Sequence, residues 1–174
     1  KKPDLSKWIK INDAIKNPQK EVNIAIVGKY NECRDSYKSL IEAIDHAAFS
    51  LKAKVNIIWV NARDNEKVNL AKEINAILVP GGFGSAGTEG KIAMINYART
   101  NKIPFLGICY GMQMAVIEYA RDVLKIKDAT SREFSKKGNF VIDNMMQWKS
   151  KDGKVTKKDK ENLGGTMRLG AYPC

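Results

Sequence analysis

The spacing of apolar and polar positions changes several times along the chain, and each change marks an element. Residues 4–16 carry Leu5, Trp8, Ile9 and Ile15 at roughly helical spacing, with Pro18 beyond them, and read as a short helix. From Glu21 onward, apolar runs of strand length alternate with amphipathic stretches. Residues 22–28 read as a buried strand. Residues 35–51 read as a helix with Tyr37, Leu40, Ile41, Ile44, Ala48 and Leu51 on one face. A second strand is expected at 55–60 and a weaker helix near 66–73. A third strand at 76–80 runs straight into Gly81-Gly-Phe-Gly84, and a helix follows at about 89–101. A fourth strand at 103–108 is followed by a helix at 112–124. Strands alternating with helices imply an α/β fold: an open, doubly wound, mostly parallel sheet with helices on both faces. Beyond residue 124 the pattern is less regular, and added strands are expected around a hairpin at Asp152-Gly153.

Length and composition narrow the picture. A chain of 174 residues with 44% hydrophobic residues can bury a core of its own. No apolar run approaches the roughly 20 residues of a membrane span, and the N-terminus lacks a signal peptide's apolar segment. Thirty Lys+Arg against nineteen Asp+Glu give a net charge of +11. That balance can mark nucleic-acid binding, but the basic residues are scattered. Their one concentration, residues 149–160, interleaves Asp152 and Asp159 with the lysines, which suits a solvated hairpin more than a polyanion contact. Neither nucleic acid nor membrane is expected as a partner. Cys33, Cys109 and Cys174 form no CxxC pair, and His46 is the single histidine, so no metal site or disulfide framework is expected. A reducing, cytoplasmic setting follows.

Two junctions at the carboxyl ends of strands carry candidate chemistry, since ligands of open α/β sheets bind there. One is Gly107-Ile-Cys-Tyr-Gly-Met-Gln113. Small residues two before and two after a nucleophile define a nucleophile elbow, a strand-to-helix turn with no room for a β-carbon on either side. Cys109 would then sit at a helix N-terminus, where dipole and free N–H groups favour a thiolate. The competing reading is a structural cysteine buried in a strand. The other junction, Pro80-Gly-Gly-Phe-Gly84, either aims backbone N–H groups at a developing negative charge or is a turn that needs positive φ.

Together the junctions resemble class I glutamine amidotransferases, and most closely the amidotransferase domain of CTP synthases. The resemblance runs from about residue 21 to 174. It is carried by Gly28-Lys-Tyr30, Tyr37, Glu42-Ala43, Pro80-Gly-Gly-Phe-Gly84, Gly87, Glu89-Gly-Lys91, the Cys109 segment, Glu133-Phe134 and Gly164-Gly-Thr-Met-Arg-Leu-Gly170. Tyr110, by contrast, is more like GMP synthases. The resemblance implies that Cys109 attacks the side-chain amide of L-glutamine and forms a glutamyl thioester. It implies oxyanion donors at the backbone N–H groups of Gly82 and Tyr110, and a glutamine pocket lined by Tyr110, Gly111, Met112 and Gln113. Glu133 and Arg168 would grip the substrate's α-amino and α-carboxylate groups. No cofactor is implied in this domain. The resemblance further implies a synthetase domain of the same polypeptide that uses ATP and Mg to convert UTP to CTP, with GTP as an effector and a homo-oligomeric full-length protein.

The chain departs from the family pattern at two points. Ala86 stands where an arginine is usual. No His–x–Glu segment follows Cys109, so the amidotransferase domain, residues 21–174, is expected to be incomplete at its C-terminus, with residues 1–20 as a connecting arm. On a helical wheel His46 points away from the apolar face, and Cys33 and Cys174 lack any elbow. Two alternatives remain: a cysteine hydrolase of the DJ-1 type, or a non-catalytic regulatory or binding domain that keeps the fold.

Overall fold

The computed structural model describes residues 3–29, 34–63, 74–143, 147–149 and 155–157. The expected helix at 66–73, Cys33, Cys174, Arg168 and the Asp152-Gly153 turn lie outside the described residues. The chain falls into two units, residues 1–142 and 143–174.

The first unit is built on a parallel sheet of β1 (Lys20–Gly28), β2 (Ala53–Asn61), β3 (Ala76–Val79) and β4 (Phe105–Gly107), in the order β2-β1-β3-β4. Ala25, Ile26 and Val27 of β1 are fully buried, which is why this central strand reads as an unbroken apolar run. Helix α2 (Lys38–Ser50) carries the chain from β1 outward to β2, and α3 (Thr88–Thr100) carries it from β3 the other way to β4. Right-handed crossovers in opposite directions place α2 and α3 on opposite faces of the sheet. The doubly wound layer expected from the sequence is therefore present, with its switch point between β1 and β3. Helix α4 (Tyr110–Asp122) packs beside α3.

The core joins sheet and helices through Val27, Ile77 and Val79, Ile92 and Ile95 of α3, and Met114 and Ile117 of α4. Arg99 and Glu118 fasten α3 to α4 at 2.8 Å, and the nearly inaccessible Glu118 carboxylate also accepts from Asn96 at 2.9 Å. Two expectations shift in detail. Residues 35–51 do not form one helix: a 3-10 turn, Arg34–Tyr37, precedes α2. Leu51 falls beyond the helix end and is exposed, so the buried stripe ends at Ala48. Helix α1 (Ser6–Lys16) packs on α2 through Ala14 and leaves Trp8 and Ile9 exposed.

After α4, β5 (Ala129–Ser131) and β6 (Asn139–Ile142) form a small parallel pair. In the second unit, β7 (Gln147–Lys149) and β8 (Val155–Lys157) pair antiparallel, as expected of strands flanking a hairpin turn.

Candidate active site

Strand β4 ends at Gly107 and α4 begins at Tyr110, so the chain turns from strand to helix within Ile108 and Cys109. Cys109 sits at φ 52° and ψ −105°, outside the wells that L-residues ordinarily occupy. The turn is fixed from both sides. Ile108 N–H donates to Val79 O at 2.9 Å, Gly111 N–H to Ile108 O at 2.9 Å, and Gln113 N–H to Cys109 O at 3.1 Å. A β-carbon at position 107 would lie 2.7 Å from the Gly111 carbonyl carbon, and one at position 111 would lie 2.1 Å from Val79 O. Both flanking glycines are thus sterically required, and Cys109 itself is an exposed, free thiol at the amino end of α4.

The glycine loop after β3 stands beside this elbow. A β-carbon built on Gly81 would be 3.7 Å from the Cys109 β-carbon. Gly84 has φ +73°, a conformation that glycine adopts without strain. Polar side chains from four parts of the fold hold the loop. Lys29, just past β1, donates its ammonium to Phe83 O. Glu133, after β5, accepts from Gly84 N–H at 2.7 Å. One peptide, between Phe83 and Gly84, is therefore gripped at its carbonyl by a cation and at its N–H by an anion. The Tyr110 hydroxyl donates to Gly84 O at 2.5 Å, and the Thr88 hydroxyl donates to Ser85 O at 2.8 Å. The two hydroxyls stand 3.0 Å apart. The backbone N–H groups of Gly82 and Tyr110 have no acceptor among the described residues.

Lys91 lies beneath this loop. It is 1% exposed, its ammonium is 4.7 Å from the centre of the Tyr110 ring, and a β-carbon on Gly82 would come within 3.7 Å of it. Burial, aided by nearby Lys29 and opposed by Glu133, pushes the Lys91 ammonium down to about 8. Burial pushes the Tyr110 phenol up, a rise that the Thr88 hydrogen bond opposes and the Glu133 and Glu89 charges reinforce.

The structure brings together Cys109, Gly82, Tyr110, Gly111, Met112, Gln113 and Glu133 of the residues read from the sequence. The Tyr110 side chain turns inward to Thr88 and Gly84, so it faces the loop rather than solvent. Gly111 packs on Val79, and Met112 is exposed. Gln113 is half-buried, and its Oε1 has no partner among the described residues. Glu133 is exposed, as is Ala86 in the turn after the loop. His46 is exposed on α2 beside Phe49. Sequence reasoning gave no role to Lys29, Thr88 or Lys91. The signal for the last two was present: the buried positions 88, 91, 92, 95 and 98 of α3 recur at helical spacing, and Lys91 falls in that stripe.

A strained cysteine at a glycine-flanked elbow, beside a glycine loop whose Gly82 N–H has no acceptor among the described residues, defines a thiol site of the amidotransferase type. The sequence model of the family Glutamine amidotransferase class-I matches residues 32–174, and the chain belongs to that family. Within it, the chain is similar to the CTP synthase of Pelagibacter ubique (strain HTCC1062): 53% identical over 99% of this chain and 32% of that protein. The chain thus spans about a third of that curated relative's length. Among solved structures it matches the glutaminase domain of Trypanosoma brucei CTPS with bound acivicin, at a TM-score of 0.61 and 39% identity. That match covers 67% of this chain and 47% of the other. No helix among the described residues is long and apolar enough to cross a membrane.

Proposed function

We propose that this chain is the Cys109-bearing part of a glutaminase domain that hydrolyses L-glutamine and hands the ammonia to a CTP-forming synthetase domain of the same polypeptide. The observation that carries the reading is the Cys109 elbow, strained at φ 52°, with Gly81 of the glycine loop against it. The Cys109 thiolate attacks the side-chain amide carbon, and a C–S bond forms as the carbonyl electrons move to oxygen. The N–H groups of Gly82 and Tyr110 receive that oxyanion. Collapse expels the nitrogen, protonated to ammonia, and leaves a γ-glutamyl thioester, which water cleaves to glutamate and free thiol. Gln113 and Met112 border the side chain of the substrate, Glu133 takes its α-ammonium, and Arg168 takes its α-carboxylate.

The water that resolves the thioester needs a base. His46, the only histidine, is exposed on α2. The reading assigns no residue of these 174 to that base. Residues 1–20 serve as the arm joining the two domains; the synthetase uses ATP, Mg and UTP, GTP modulates it, and the assembled cytoplasmic protein is a homo-oligomer. The 53% identity to a CTP synthase supports this wider reading. Acivicin, the ligand of the trypanosomal glutaminase structure, supplies the test. Incubated with the chain, it should label Cys109 ahead of Cys33 and Cys174, and excess glutamine should protect Cys109. Peptide mapping that finds either other cysteine modified faster would sink the assignment.

A further inference from the structure

The Tyr110 side chain does something that its backbone role does not require. It is almost wholly buried at the first turn of α4, yet its hydroxyl reaches back to the Gly84 carbonyl at 2.5 Å and meets Thr88 at 3.0 Å. The two hydroxyls have two protons to give, and the acceptors in reach are the loop carbonyls of Gly84 and Ser85. The Lys91 ammonium over the ring fixes the ring's position from below. Nothing about a strand-to-helix elbow demands this arrangement, since an apolar side chain could fill the same volume.

From this geometry we propose that Tyr110 is a positioning residue for the oxyanion site: its hydroxyl, braced by Thr88 and Lys91, latches the Gly84 carbonyl and keeps the Gly82 N–H turned toward the thiol. The inference rests on the glutaminase reading above. One residue then serves both halves of the oxyanion site, with its own N–H as one donor and its hydroxyl holding the loop that carries the other. Burial raises the phenol, so it stays a protonated donor through neutral and mildly alkaline pH. Lys29 and Glu133 fix the neighbouring peptide independently, so removing the latch loosens the loop without releasing it.

The test compares two ligands in the 174-residue chain. The γ-aldehyde analogue of glutamine adds the Cys109 thiol across its carbonyl: sulfur bonds to carbon, the π electrons move to oxygen, and the thiol proton leaves to solvent. Its affinity therefore reports the oxyanion site. Glutamine binding, measured on a Cys109→Ala background, reports ground-state recognition alone. Tyr110→Phe keeps the ring and removes only the hydroxyl. We expect aldehyde affinity to fall about 2- to 10-fold, the value of one hydrogen bond, and by a clearly larger factor than any change in glutamine affinity. Thr88→Val should give a smaller loss, and the double variant no more than Tyr110→Phe alone, because the hydroxyls act as one unit. If Tyr110→Phe loses cooperative unfolding, Thr88→Val carries the comparison, and wild-type aldehyde affinity there overturns the latch. Equal aldehyde affinity in wild type and Tyr110→Phe also overturns it, provided that Cys109→Ala loses the aldehyde. Equal affinity in wild type and Cys109→Ala would instead overturn the glutaminase reading itself.

Discussion

Lys91 is the residue whose chemistry differs most from its surroundings. An ammonium that is 1% exposed sits over an aromatic ring, beside a second lysine and one carboxylate, Glu133. Its proton is held less tightly in the folded chain, near pH 8, than in the unfolded chain, near 10.5. Between those values the unfolded state binds more protons, so this group's contribution to stability rises with pH. Below pH 8 the buried charge imposes its full cost, and above it the cost is relieved. Lys91→Met should therefore differ most from wild type at pH 7, and the difference should shift in favour of wild type by at most about 2 kcal/mol toward pH 9.5. Urea unfolding of both proteins at the two pH values checks this, and parallel curves would show that Lys91 keeps its ordinary proton affinity. Lys91 occupies a position of the buried stripe of α3, but its residue type conceals this in the sequence, since lysines are rarely buried. The contact between Glu133 and Gly84 N–H had no sequence signal at all, because it joins residues 49 apart through the order of strands.

At the scale of elements, the glycines separate into two kinds that the sequence does not distinguish. Gly111 is required by contact, because any β-carbon there would overlap the Val79 carbonyl, which belongs to a ladder and cannot yield. Gly84 is required by conformation, with open space around it and φ +73°. Gly111→Ala should cost about 3 kcal/mol or more, as overpacking against backbone does. Gly84→Ala should cost only about 1–2 kcal/mol, the penalty of a left-handed residue. Denaturant midpoints on the two variants give the ranking, and the reverse order would mean that β3 and α4 are not in this contact. The elbow was legible because its spacing of small residues reflects a local steric demand. The strands were legible because buried parallel strands read as apolar runs. The split of residues 34–50 into a 3-10 turn and α2 was not, because the apolar stripe continues through both and only backbone hydrogen bonding separates them.

At the scale of the whole molecule, the site's elements follow strands β1, β3, β4 and β5, yet the chain holds a single histidine, and that is exposed on α2. The 174 residues alone should release at most one equivalent of ammonia per Cys109 as it acylates, without sustained turnover. Ammonia measured over time, with Cys109→Ala as control, decides this, and continued release that depends on Cys109 would mean that a base within the chain has been overlooked. The same molecule must also tolerate its own nucleophile. Cys109 occupies φ 52° and ψ −105°, a conformation that costs about 1–3 kcal/mol for a residue with a β-carbon and far less for glycine. Cys109→Gly should therefore unfold at a higher temperature than wild type while losing all glutaminase chemistry, and an unchanged or lower melting point would show the elbow to be relaxed. Selection for folding and selection for chemistry thus favour different residues at position 109. A duplicated copy of this domain freed from catalysis would drift toward glycine there, and its silence would be accompanied by a gain in thermal robustness.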